Sequence, residues 1–145
     1  MQNIKSQSGF TLIEIMIVVI ILAILAAAVI PRLTGRTQQA KESRAKADIQ
    51  TLSLALDLYA IDNGFFPSSA QGLDALRSKP SSAPTPTSWR GPYVKKASPK
   101  DPWGNPYKYT SPGMHNAEDY DLITFGPDGV QGGGDDIANW ETQTE

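Results

Sequence analysis

The chain has 145 residues and a formal net charge of −2, enough for one modest core and too little net charge to set its partners. From Gly113 to the end it carries eight acids and no Lys or Arg, which excludes a nucleic-acid surface there and favours a solvated acidic face or a cation site. It has no cysteine, so disulfides and thiolate chemistry are excluded and loops outside the cytoplasm need another staple.

Every residue from Ile15 to Ile30 is apolar. As a helix, Phe10 to Ile30 spans roughly 30 Å, one bilayer core. One carboxylate, Glu14, stands near the start of this run. Three readings are open. A cleaved signal peptide fits Lys5 and the Ala26-Ala27-Ala28 end, but the run is long for one and contains the acid. A plain single-span anchor has to carry an acid that costs about 2.5–3.5 kcal/mol well inside such a helix. In the third reading the acid is functional. A cut between Gly9 and Phe10 would create an α-amino group four residues before Glu14. Among parallel helices, that amine could meet a neighbour's Glu14, each charge offsetting the burial of the other.

Pro31 is expected to end or kink the helix, and Gly35 to weaken it. From about Thr37 the pattern is helical again: Ile49, Leu52, Leu56 and Tyr59 recur at spacings of three and four, with Ala45 and Ala55 beside them. Arg36, Lys41, Glu42, Arg44, Lys46, Asp48 and Asp57 fill the other faces. Asp62-Asn63-Gly64 is a stop signal. The spacing predicts one kinked helix from Phe10 to about Asp62, its second half laid on a small body.

Ser68-Ser69-Ala70-Gln71 has the form of a capping box and predicts a brief helix near residues 70–77. Lys79 to Ser88, rich in Pro, Ser and Thr, predicts an extended surface loop. Asp101-Pro102-Trp103-Gly104-Asn105-Pro106 is turn chemistry around an indole that is expected to cap the core. Tyr107–Thr110 and Tyr120–Thr124 read as strands. His115, the only histidine, lies in the loop between them and reads as exposed. Asp119 and Asp121 could form the paired carboxylates of a membrane-anchored glycosidase, but they alternate along a strand edge with no pocket implied.

Gly126 to Ile137, GPDGVQGGGDDI, is the most chemically loaded stretch. It lacks the Gly-Lys-Ser/Thr of a phosphate cradle and the acid spacing of an EF-hand, and it is a single copy. Asp128, Asp135 and Asp136 fall within nine residues with no base among them, and the glycines let carbonyls turn inward. Calcium accepts six to eight such oxygens. A polar hairpin with Asp at its turns explains the stretch equally well.

The stretch Gly9-Phe10-Thr11-Leu12-Ile13-Glu14-Ile15-Met16-Ile17-Val18-Val19, after a short polar leader with a basic residue, closely resembles the prepilin signature of type IV pilins and type II secretion pseudopilins. The likeness extends over nearly the whole chain to the major pseudopilins. It runs through Tyr59-x-x-Asp62-Asn63-x-x-x-Pro67, Gln71-Gly72-Leu73-x-Ala75-Leu76, Asp101 to Tyr107, Tyr120-Asp121-Leu122 and Gly126-x-Asp128-Gly129 to Trp140. Thr124 stands where the family often has serine. The resemblance implies an α+β fold: a long N-terminal helix, transmembrane then amphipathic, packed on a small body with short antiparallel strands and a calcium-type loop.

It further implies a leader at 1–9, a membrane and polymerisation helix at 10–30 and a periplasmic body at 31–145. Prepilin peptidase would cleave after Gly9, Phe10 would be N-methylated, and Glu14 would serve assembly. The partners implied are other copies in a homopolymeric pseudopilus, minor pseudopilins, an inner-membrane assembly platform and the bacterial inner membrane before assembly, with no nucleic acid. The implied cofactor is structural Ca2+, held by Asp128, Asp135 and Asp136 with the carbonyls of Phe125 and Gly133. The implied function is structural, driving export of folded proteins without catalysis. Alternatives are a type IV pilin of a surface pilus, a membrane-anchored enzyme and a calcium-dependent binding module.

Overall fold

A computed structural model describes residues 9–95 and 99–140, with the backbone alone described for residues 27–34. Leader residues 1–8 lie outside the described residues, so the expected leader enters only through Gly9. The element order is a helix α1 (Leu12–Asn63), a 3-10 turn (Gly72–Leu76) and three strands, β1 (Lys108–Thr110), β2 (Asp121–Thr124) and β3 (Ile137–Ala138). Two compact units result, one ending at Gln39 and one beginning at Ala40.

α1 is a single element through Pro31 and Gly35, so the proline does not end it. A helix-interior proline removes one hydrogen bond and costs about 3 kcal/mol, which this long element carries. The stop falls where the sequence puts it. Gly64 takes φ +81°, the left-handed conformation that glycine adopts without steric cost, and its N–H returns to the Ala60 carbonyl at 2.7 Å.

In the first unit the large apolar side chains from Phe10 to Leu25 are 48–82 % exposed. Among the described residues no helix is long and apolar enough to cross a membrane. The side chains of Ala27 to Ile30, the end of the expected span, lie outside the described residues.

In the second unit the expected stripe is buried: Ala45, Ile49, Leu52, Ala55, Leu56 and Tyr59 all lie in the core. All of these but Ala45 pack with Leu73 and Leu76 of the 3-10 turn and with Tyr107, Tyr109, Tyr120 and Leu122 of the sheet region. Leu56 is wholly buried, and its replacement by Ala would cost about 2–5 kcal/mol, a large part of the margin of so small a body. The capping box forms reciprocally before the turn: the Ser68 N–H donates to Gln71 Oε1 at 3.1 Å and the Gln71 N–H to Ser68 Oγ at 3.3 Å.

The sheet is antiparallel in the order β1-β2-β3, with Tyr109 opposite Leu122 and Thr124 opposite Ile137. All four residues of β2 are buried, as suits a central strand. β3 is not legible in the sequence, because two residues set no periodicity. Its pairing is extended by Asn139, whose side-chain oxygen accepts the Leu122 N–H at 2.8 Å while its own N–H donates to the Leu122 carbonyl at 2.9 Å. The indole packed on the core is Trp89, edge-on to Tyr93 at 5.8 Å, whereas Trp103 is half-buried beside its turn.

Candidate functional site

At the N-terminal end, Glu14 has a partner within its own chain. The Thr11 N–H donates to Glu14 Oε2 at 3.4 Å, and the Glu14 N–H donates to Thr11 Oγ1 at 3.3 Å. Thr11-x-x-Glu14 is thus a capping box that satisfies two of the amide donors left open at a helix start. The negative charge also lies at the positive end of the helix dipole. Gly9 and Phe10 are exposed just before this cap, with open space where a Cβ on Gly9 would sit.

The body holds two acidic loops on the flanks of β2. The first is built around Asp121, a buried carboxylate. Its Oδ2 accepts the N–H groups of Met114 at 2.7 Å and His115 at 2.9 Å, and its Oδ1 accepts that of Asn116 at 3.0 Å. The His115 Nδ1 lies 3.1 Å from Oδ2. Burial pushes the Asp121 carboxyl up, but these hydrogen bonds outweigh it and hold the group below its ordinary value. His115 is exposed, as expected, yet its ring stacks on Trp140 at 4.0 Å and 8°. Asp119 is exposed and Asp121 is committed to this loop, so the two carboxylates do not form a paired catalytic site.

The second loop is the Gly-rich stretch. Its entrance is braced by a side chain that sequence reasoning missed. Buried Asp101 accepts the N–H groups of Trp103 at 2.9 Å and Asn105 at 2.8 Å through Oδ1, and the Thr124 hydroxyl through Oδ2. The Asp101–Pro106 turn is therefore a clamp on the end of β2. Asn105 extends it, donating to the Gly126 carbonyl at 3.4 Å.

Inside the loop, Asp128 and Asp135 converge. A Cβ on Gly133 would lie 2.5 Å from Asp128 Oδ2 and 2.6 Å from Asp135 Oδ1, so both carboxylates crowd the space that glycine leaves. Asp135 Oδ1 and Asp136 Oδ1 are buried acceptors without a hydrogen-bond partner. Asp136 gives its other oxygen to the Gly132 N–H at 2.8 Å, and Asp128 Oδ1 accepts the Val130 N–H at 2.8 Å. The two orphaned oxygens are what a cation could take, while the bonds from the Val130 and Gly132 N–H groups are those of a turn. Among the described residues, however, no three acidic or histidine side chains group closely enough to hold a metal alone. The oxygens present fit calcium as a two-carboxylate nucleus, with Asp136 offset and carbonyls needed to complete the shell.

A long helix that opens on a capped acid in a bare apolar run, followed by a small α+β body with an acidic Gly-rich loop, defines a pilin-like subunit. The chain matches the Prokaryotic N-terminal methylation motif over residues 4–30 and the Type II secretion system (T2SS), protein G family over residues 32–140. It is 51 % identical over 141 residues to the type II secretion system core protein G of Pseudomonas aeruginosa, covering 94 % of this chain and 97 % of that one. With the same protein of Vibrio cholerae it shares 47 % over 147 residues, covering 99 % and 98 %. A crystal structure of the major pseudopilin from the type 2 secretion system of enterohaemorrhagic Escherichia coli is similar at a TM-score of 0.65 and 39 % identity, covering 76 % of this chain and 95 % of that one. The chain belongs to the type II secretion system protein G family and is a structural pseudopilus subunit, of a family that is not enzymatic.

Proposed function

We propose that the chain is made with a leader at residues 1–9 and held in the bacterial inner membrane as a single pass by residues 10–30, with residues 31–145 in the periplasm. Prepilin peptidase cuts between Gly9 and Phe10, the new amine is methylated, and the subunit joins other copies in a periplasmic pseudopilus. Minor pseudopilins and an inner-membrane assembly platform are its further partners, and the growing fibre drives folded proteins across the outer membrane. The observation that carries this reading is the run of bare apolar side chains from Phe10 to Leu25, with Glu14 near its start. Such a surface needs lipid or other copies around it.

Glu14 then serves twice. In the single subunit it caps its own helix, and in the fibre its charge meets the Phe10 amine of a neighbour. The two roles separate experimentally because glutamine keeps a capping box but carries no charge. Glu14→Ala and Glu14→Gln should both insert and be cleaved, and both should fail to assemble. Normal fibres from Glu14→Gln, detected by shearing and immunoblotting, would reduce Glu14 to a helix cap.

The side-chain oxygens of Asp128, Asp135 and Asp136 would hold a calcium ion, with the carbonyls of Phe125 and Gly133 completing its shell. When bound, calcium supplies charge neutralisation and a tie between the end of β2 and the start of β3. Asp101 and Thr124 hold the entrance of the loop, and Gly133 keeps the space between the carboxylates clear.

A further inference from the structure

Asp101, Asn105, Thr124 and Gly126 close a ring of hydrogen bonds at the entrance of the Gly-rich loop. Buried Asp101 accepts the Asn105 N–H at 2.8 Å through Oδ1 and the Thr124 hydroxyl through Oδ2. The Thr124 oxygen in turn accepts the Gly126 N–H at 3.4 Å. The Asn105 side-chain amide donates to the Gly126 carbonyl at 3.4 Å and completes the circuit. Each 3.4 Å bond is long, yet the two act on one buried residue and hold its N–H and its carbonyl at once. Thr124 is 1 % exposed, so its hydroxyl is committed to these partners, donating to Asp101 and accepting from Gly126.

The ring fixes what lies on either side of Gly126. The Phe125–Gly126 peptide is trans, so the Phe125 carbonyl points away from the N–H that Thr124 holds. Orienting that N–H therefore orients the carbonyl implied as an ion ligand. Gly126 is also the wall against which Asp135 sits: a Cβ on Gly126 would lie 2.5 Å from the Asp135 carbonyl oxygen and 2.6 Å from its Oδ2. That Oδ2 accepts the Asp128 N–H at 3.4 Å. The Asn105 side chain reaches the far end of the same turn, its Nδ2 lying 3.4 Å from where a Cβ on Gly129 would sit. The Gly126–Gly129 turn, which carries Asp128, thus leans on Asn105 at both ends. Glycines have the most conformational freedom to lose on ordering, and a turn ordered in advance leaves less of that loss to ion binding.

We infer that Thr124 and Asn105 are positioning residues for the cation site, Thr124 aiming the Phe125 carbonyl and Asn105 holding the Asp128 turn, with Asp101 locking both; the inference rests on the calcium reading proposed above. Titration calorimetry of the full-length chain in detergent with calcium chloride tests it, beside thermal melts in chelator. Thr124→Val keeps the side-chain shape and removes the hydroxyl, Thr124→Ser keeps the hydroxyl, and Asn105→Ala removes the amide at a half-buried position. Thr124→Val and Asn105→Ala should each weaken calcium binding roughly tenfold to a hundredfold. Thr124→Ser should bind as tightly as the unsubstituted chain. A merely structural role would lower the melt in chelator and leave the affinity of the folded protein alone, so unchanged affinity in either weakened variant would overturn the inference and leave the calcium reading standing. So would equal losses in Thr124→Ser and Thr124→Val, because the hydroxyl would then not be responsible. Thr124→Val strands a buried Asp101 oxygen, and if that variant does not fold, Asn105→Ala decides alone. Absence of calcium binding by the unsubstituted chain would overturn both readings.

Discussion

The two acidic loops that flank β2 solve the same electrostatic problem in opposite ways. The Asp121 loop surrounds one carboxylate with three backbone N–H groups and a histidine ring, and is complete without help. The Gly-rich loop brings Asp128 and Asp135 together around Gly133 and leaves acceptor oxygens of Asp135 and Asp136 unpaired. The Asp121 carboxylate is satisfied by amide donors throughout, whereas the Gly-rich loop gives its acids the Val130 and Gly132 N–H groups and leaves two oxygens over. Sequence composition cannot tell these apart, since both loops are acidic and lack Lys and Arg. The N–H groups that satisfy Asp121 are backbone groups and carry no sequence signature.

The sharpest way to break the comparison is to withdraw calcium. At a thousand-fold excess over Kd an ion contributes about 4 kcal/mol. Chelation should therefore lower Tm by roughly 20 °C in a scanning calorimeter. Asp128→Ala should abolish that response, whereas a chelator-insensitive melt would make the Gly-rich loop as self-sufficient as its neighbour.

Asp121→Asn tests the other side. The amide places a donor against backbone donors, and the expected loss is about 2 kcal/mol whether calcium is present or not. Its pH dependence has a definite sign. The folded carboxyl sits below its ordinary value, so its stabilisation is fully present above an unfolded pKa of about 3.9. That stabilisation is lost as pH falls from there through the lower folded value. Urea melts between pH 5 and 2 should show this acid loss in the unsubstituted chain and a smaller one in Asp121→Asn.

Gly133→Ala distinguishes the loops more finely. The new methyl would lie 2.5 Å from Asp128 Oδ2 and 2.6 Å from Asp135 Oδ1, and these flexible side chains can swing aside. Calcium affinity measured by titration calorimetry should weaken about tenfold, or about 1.4 kcal/mol, with the chelated melt unchanged. His115→Ala should have the smallest effect. It loses an exposed ring contact at 3.1 Å and a stack at 4.0 Å, and the cost by thermal melting should stay below about 1 kcal/mol.

Local signals were legible where the physics is local. The Ile49 to Tyr59 stripe, the Gly64 stop and the Ser68–Gln71 box each depend on neighbours within a few residues, and each forms as expected. The Asp101 clamp on Thr124 and the stack of His115 on Trp140 join positions more than twenty residues apart, which no spacing announces. Thr11-x-x-Glu14 was legible as a capping box, but the apolar run draws attention to the charge and away from the cap. The Gly-rich loop was legible only as a choice between a turn and an ion site, because the backbone that brings Asp128 and Asp135 to Gly133 leaves no mark in composition.

The chain is proposed to work only after it is cut before Phe10, because that cut exposes the amine that Glu14 is proposed to meet. Intact-mass and N-terminal peptide mass spectrometry of the native protein tests this directly. The predicted result is a mature chain beginning at methylated Phe10 in the assembled fraction. Fibres built from chains that retain Gly9, or that begin elsewhere, would contradict it.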